Sequence, residues 1–198
     1  MALTRLGPNN SSNISGINLT SQVTGTLPVA NGGTALSSGF VNGFTGMADA
    51  WRLTTGFTND ADPIASNWER WDTYGFGQLG TGMTESSGIF TFPSTGIYRI
   101  SFHVYFYLNG DDRLIETKIK TTTNNSTYNF LSDAVTFIQQ TGGALTYANS
   151  HNEGIFDVTD TSTHKCAFRI NVANASTQIA GDSNISATYV TFTKLGDT

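Results

Sequence analysis

Three histidines, one cysteine and a few carboxylates are the residues of this 198-residue sequence with most scope for chemistry, and their spacing argues against most of it. His103, His151 and His164 are too scattered to place two imidazoles on one local face, so they form no metal motif. Cys166 has no second cysteine for an intrachain disulfide or a Cys-rich metal site, and it reads as a small apolar filler. The sequence has no Gly-x-Ser-x-Gly elbow and no Cys–His pairing signature. Asp157 with Asp160, and Glu69 with Asp72, are the carboxylate pairs a sugar-cleaving site would use, but their spacing ties neither pair to a shared cleft. The expectation is a protein that is not an enzyme, with no catalytic residue, no cofactor and no metal.

Three further signals have a chemical and a structural reading. Gly75-Phe76-Gly77-Gln78-Leu79-Gly80 formally matches the dinucleotide fingerprint, yet no helix pattern follows to receive a pyrophosphate, so the run reads as a loop. Asp111 and Asp112 follow an Asn-Gly step and supply only part of the oxygen shell a hard cation requires, which favours a solvated turn over a Ca²⁺ site. Trp51, Trp68 and Trp71, with Tyr74 and Phe76, have the flat apolar rings that stack on a sugar face. Sheet cores also take such rings, and burial is the favoured reading for Trp51.

The chain draws its polarity from uncharged groups. Only 13% of its residues are charged, whereas 30 Thr, 18 Ser and 17 Asn make up a third of the sequence. Fifteen acidic against ten basic residues give a net charge of −5, which removes the basic footprint needed for nucleic acid or an anionic lipid surface. A hydrophobic content of 38%, with 12% aromatic, is enough to bury one core. Polar Asn9-Asn10-Ser11-Ser12 interrupts the start before an apolar signal region develops, and no stretch approaches the roughly 18 apolar residues of a membrane span. Neither a secretory signal nor membrane insertion is expected, and synthesis in a reducing cytoplasm follows.

Charge and tryptophan divide the chain near residue 45. Residues 1–48 contain one charge, Arg5, whereas Asp49 onward brings all three Trp and nearly all other charges. Within the first part, Ile17 to Leu27 alternates at strand period and then meets Pro28 and Asn31-Gly32-Gly33 as turn residues. Too few apolar groups are present there to close a core, so an extended segment over 1–45 that lies on another surface or winds with copies of itself is expected.

Residues 46–198 read as β throughout, with no helical stripe in any window. In Gly96 to Leu108, Tyr98, Ile100, Phe102, Val104 and Phe106 share one face and belong to a core. The opposite face carries Arg99, Ser101, His103, Tyr105 and Tyr107, too aromatic to be left in water. Asn109-Gly110 between alternating runs predicts a hairpin, because both turn residues then take positive φ. Further strands are expected at 51–55, 89–92, 130–139, 145–149, 154–158, 165–171 and 185–194, which suits a two-sheet sandwich.

Two stretches resemble known families. Val23-Thr24-Gly25-Thr26-Leu27-Pro28-Val29-Ala30-Asn31-Gly32-Gly33-Thr34 resembles a segment found in the trimeric shaft or linker regions of tailed-bacteriophage fibre proteins. Gly88-Ile89-Phe90-Thr91-Phe92-Pro93-Ser94-Thr95-Gly96-Ile97-Tyr98, continuing to Val104, is similar to the "G-x-F-x-x-P-x-x-G-x-Y" signature of the complement globular-head and tumour necrosis factor superfamily, with Ile100 where an aromatic is usual. The second resemblance implies a jelly roll of about ten strands that assembles as a homotrimer through an aromatic inner sheet. Carried onto this chain, it places His103, Tyr105, Tyr107 and Tyr189 at the threefold axis.

Together the resemblances imply a virion structural protein of a tailed phage, on the exterior of the tail or capsid. Leu19, Val23, Leu27 and Val29 would then attach the N-terminal segment to other virion proteins, while the head is displayed outward. Its candidate contacts for a host-surface glycan or protein are loop residues Asn109, Asp111, Asp112, Asn124, Asn125 and His151. The alternative is a capsid decoration or head-fibre protein with a stabilising or adhesive role.

Overall fold

A computed structural model describes residues 46–198; Leu19, Val23, Leu27 and Val29, with the expected segment over 1–45, lie outside the described residues. The described chain forms twelve strands and no helix. They are β1 (Ala48–Leu53), β2 (Thr55–Thr58), β3 (Trp68–Arg70), β4 (Thr84–Ser86), β5 (Ile89–Thr91), β6 (Gly96–Leu108), β7 (Asp112–Thr122), β8 (Asn129–Ile138), β9 (Thr146–Val158), β10 (Lys165–Val172), β11 (Gln178–Asp182) and β12 (Tyr189–Gly196). One sheet has the order β2-β11-β6-β12-β1-β3, with β9 on the other edge of β6; the second has the order β4-β5-β10-β7-β8. From β5 to β12 the chain changes sheet at five of seven connections, every strand pairing is antiparallel, and the sheets share one core, as expected of a jelly roll.

The core lies between the sheets. Tyr98, Ile100, Phe102, Val104 and Phe106 are fully buried on one face of β6, as the alternation requires. Phe168 from the five-stranded sheet meets Phe102 at 4.9 Å and Phe90 at 5.4 Å, and Phe90 meets Phe192 at 5.3 Å. Such tilted and edge-on pairs add to the area they bury. The glycines of the Gly88–Tyr98 signature have local reasons: Gly88 takes φ +82 where a Cβ would fall on the carbonyl oxygen of Ile64, and Gly96 takes φ +143 where it would fall on the side chain of Lys194.

Several strand expectations are corrected. Asn109-Gly110 does not close a hairpin: β6 and β7 belong to different sheets, and only Gly110 of the pair has positive φ. The turn carries the chain across the sandwich, and Asp112 locks the crossing by accepting hydrogen bonds from Thr177 Oγ1 and the amides of Leu114 and Ala173. The separate strands expected at 145–149 and 154–158 are one continuous β9. Its inward positions Ser150 and Asn152 are polar but bonded to Thr117, which hides the strand alternation. β12 begins at Tyr189, because Asp182 first turns the chain by accepting from the amides of Asn184 and Ile185. The short strands β2, β3, β4 and β11 were not anticipated.

Candidate functional site

The outward face of the seven-stranded sheet collects rings from three strands. Antiparallel pairing sets His103 opposite both His151 and Tyr189, Ser101 opposite Glu153 and Thr191, and Tyr107 opposite Tyr147. The rings pack along these rows. His103 stacks on Tyr189 at 4.9 Å and 26°, its centroid lies 6.2 Å from that of His151, and Tyr105 stacks on Tyr147 at 5.8 Å and 15°. Tyr147, Ile155 and Leu195 remain exposed there, beside half-buried Tyr105, Tyr107 and Tyr189.

One ion pair crosses this face. Arg99 donates to Glu153, which also receives a 3.5 Å contact from Ser101 Oγ and lies 4.0 Å from His151 Nε2. The hydrogen bond from Arg99 is the main cause holding the Glu153 carboxyl below its usual value. His103 is pushed below its usual value, first by burial and then by the charge of His151.

The sequence-derived set is only partly brought together. His103, Tyr105, Tyr107 and Tyr189 share the face just described. His151 is not a loop residue: it sits mid-strand on β9 and joins that face, because β9 runs unbroken through it. Asp112 is not a loop residue either, since its side chain is buried and its oxygens are taken by the chain crossing. Asn109 and Asp111 accept hydrogen bonds from Gln140 at one end of the sandwich. Asn124 accepts from the amides of Ser126 and Thr127, and Asn125 donates to Thr163 O, at the other end. The candidate loop residues therefore form two separated groups. Sequence reasoning missed Tyr147, Ile155 and Leu195; the alternation Tyr147, Asn149, His151, Glu153, Ile155 carried the signal.

The tryptophans divide. Trp51 and Trp68 meet Phe90 edge-on at 5.6 and 5.5 Å and belong to the core. Trp71 instead packs against Phe76 at 4.0 Å and Tyr189 at 5.4 Å, in the wall of a cleft of about 190 Å³ at the edge of the aromatic face. Tyr74 and Asn184 line the same cleft, and Arg52 reaches it with its side chain held by Glu69 and Asp72 at 2.9 and 2.6 Å. That ion pairing is the structural role of the Glu69 and Asp72 carboxylates.

The fold matches known structures. Murine APRIL at pH 5.0 superposes with a TM-score of 0.55 at 13% identity, over 76% of this chain and 100% of that one. The fold is the tumour-necrosis-factor-like jelly roll. Eiger TNF from S. frugiperda agrees, with a TM-score of 0.55 at 13% identity over 76% of this chain and 93% of that one. Murine APRIL at pH 8.5 gives 0.55 at 15% identity. No family model matches the sequence, and no curated protein matches it. Among the described residues no group of three His, Cys, Asp or Glu side chains gathers as metal ligands, and no helix is long and apolar enough to cross a membrane.

Proposed function

We propose that the chain is a bacteriophage virion structural protein, a homotrimer whose jelly-roll heads point outward as a fibre or spike and attach to host-surface glycan or protein. The observation that carries the trimer is the ring-lined face of β6, β9 and β12, where exposed Tyr147, Ile155 and Leu195 extend the rows of Tyr105, Tyr107 and Tyr189. A broad apolar face of this kind is stabilised by a second protein surface, and a copy of the same chain is the partner always present at matching concentration. Similarity of Gly88–Val104 to a superfamily of homotrimers supports the copy number, and similarity of Val23–Thr34 to phage shaft segments supports the virion location. Threefold repetition turns weak single contacts into avidity. The reading assigns no enzymatic step, and residues 1–45 attach the head to other virion proteins.

The trimer is tested by light scattering of the full chain carrying Tyr105→Asp and Tyr107→Asp, which is expected to give monomers; an unchanged mass rejects this face. The attachment segment is tested by Val23→Asp with Leu27→Asp, which is expected to leave a trimeric protein that no longer joins particles. Cryo-electron microscopy of the virion then decides the location. Density at the distal tail supports host attachment, whereas density on capsomers makes the protein a capsid decoration or head fibre.

A further inference from the structure

We propose that the cleft between Trp71, Tyr74 and Phe76 binds a neutral saccharide. This deepens the attachment reading above, and rests on it for its biological setting only. Tyr74 is the most exposed large hydrophobic side chain of the described residues, at 87%, and it stands out at a conformational cost, with φ +56 followed by Gly75 at φ +78. A ring held in water by a strained backbone is unexplained by packing, and strain of this kind concentrates at binding sites. Phe76 is 39% exposed beside it, so two apolar ring faces border one small opening.

The polar groups fit a polyhydroxyl ligand. The indole N–H of Trp71 is buried in the cleft wall and has no hydrogen-bond partner, a deficit that buried donors rarely tolerate. A ligand hydroxyl seated in the cleft would supply the acceptor that this donor lacks, once a small movement of the wall admits it. Asn184 and Ser186 at the rim provide amide and hydroxyl groups that both donate and accept, as the edges of a sugar require. The volume, about 190 Å³, lies below the roughly 300–1,000 Å³ of sites for drug-sized ligands and suits a single ring unit.

Charge narrows the class further. The one cation in the wall, Arg52, is 2% exposed in its side chain and already bonded to Glu69, Asp72 and Thr73. Glu69 and Asp72 neutralise that guanidinium, so the cleft offers no free cation to pair with the carboxylate of a sialic or uronic acid, and a neutral sugar fits it better.

The test applies the full chain to a glycan array carrying neutral hexose and N-acetylhexosamine oligosaccharides beside sialylated and uronate-bearing ones, with oligomer mass measured in parallel. Binding to one or more neutral glycans is expected, with quenching of tryptophan fluorescence on titration with the best of them. Tyr74→Ala is expected to weaken it by about tenfold or more, whereas Tyr74→Phe, which keeps the ring, retains most of it. No neutral binder, preference for acidic glycans, or equal binding by Tyr74→Ala overturns the proposal. So does a change of oligomer mass in Tyr74→Ala with binding retained, which assigns the ring to subunit packing. A trimer that binds no saccharide removes this inference and leaves the trimeric head standing; a monomer that binds does the reverse.

Discussion

The outward faces of the two sheets solve the same problem, how to meet water, in opposite ways. On the five-stranded sheet, Lys118, Lys120 and Arg169 alternate with Glu116, Asp133 and Asp62, at separations of 2.5 to 3.6 Å. The Lys118 ammonium sits 4.2 Å over the ring of Phe130, and the charges are interleaved with apolar residues of β8, Phe130, Val135 and Phe137, which remain exposed. On the seven-stranded sheet, the corresponding positions of β6, β9 and β12 carry rings, amides and hydroxyls, with Arg99–Glu153 as the ion pair. In a chain with only 13% charged residues, where the charges go is informative. Both faces expose some apolar side chains, but the seven-stranded face gathers rings with a single ion pair among them, the composition that suits a protein partner.

The largest expected effect is on assembly. If the proposed trimer forms through the ring-lined face, aspartate at Tyr105 and Tyr107 is expected to lower the mass in solution to about a third, because buried unpaired charge is strongly disfavoured at an interface. Aspartate at Lys118 and Lys120 leaves the mass unchanged. If the second pair dissociates the protein and the first does not, the two faces have exchanged roles.

Next comes a fold effect confined to the aromatic sheet. Gly96→Ala forces a side chain into φ +143 against Lys194, where β6 pairs with β12, and is expected to cost about 2–3 kcal/mol in urea unfolding. Ser126→Ala, in an exposed turn at the end of β7, is expected to stay within about 0.5 kcal/mol.

These contrasts also show what could be read from the sequence. The core face of β6 was legible because five large residues recur at period two, and the ring face was legible on the same strand. β9 was not, because its inward Ser150 and Asn152 imitate a loop until Thr117 is seen bonding to them. By sequence alone His151 therefore reads as a loop residue, and Tyr147 and Ile155 do not stand out as members of the ring face. Asn109-Gly110 looks like a hairpin locally; that it crosses between sheets depends on Asp112, whose partners Ala173 and Thr177 lie about sixty residues away in sequence. The cleft of Trp71 was half visible as an aromatic cluster, but its other wall, Asn184 and Ser186, arrives from the segment before β12.

A smaller effect separates the faces by pH. Burial, then the charge of His151, lowers His103 below its free value of 6.5. Between 6.5 and that lower folded value the unfolded chain binds more protons, so the contribution of His103 is fully present above pH 6.5 and is lost as pH falls through the window. Urea unfolding across this range is expected to show stability falling with acidification in the parent and a flatter profile in His103→Asn. His151→Asn removes only the second cause and is expected to flatten the profile less. An unaltered profile in His103→Asn would locate the pH dependence elsewhere.

The smallest effect belongs to the charged face. Lys118 touches Glu116 at 2.9 Å, Asp133 at 3.6 Å and the Phe130 ring, and its side chain is only 13% exposed. Lys118→Ala deletes all three contacts, yet surface ion pairs are screened and held by side chains that lose entropy in meeting. The expected loss is about 1 kcal/mol or less, shrinking further in high salt. Lys118→Met keeps the stem over Phe130 and removes only the charge, so it separates packing from electrostatics. If Met restores most of the loss, the lysines of this sheet act chiefly as covers for the apolar surface beneath them. The absence of such covers on β6 and β9 is then what leaves the other face open to a partner.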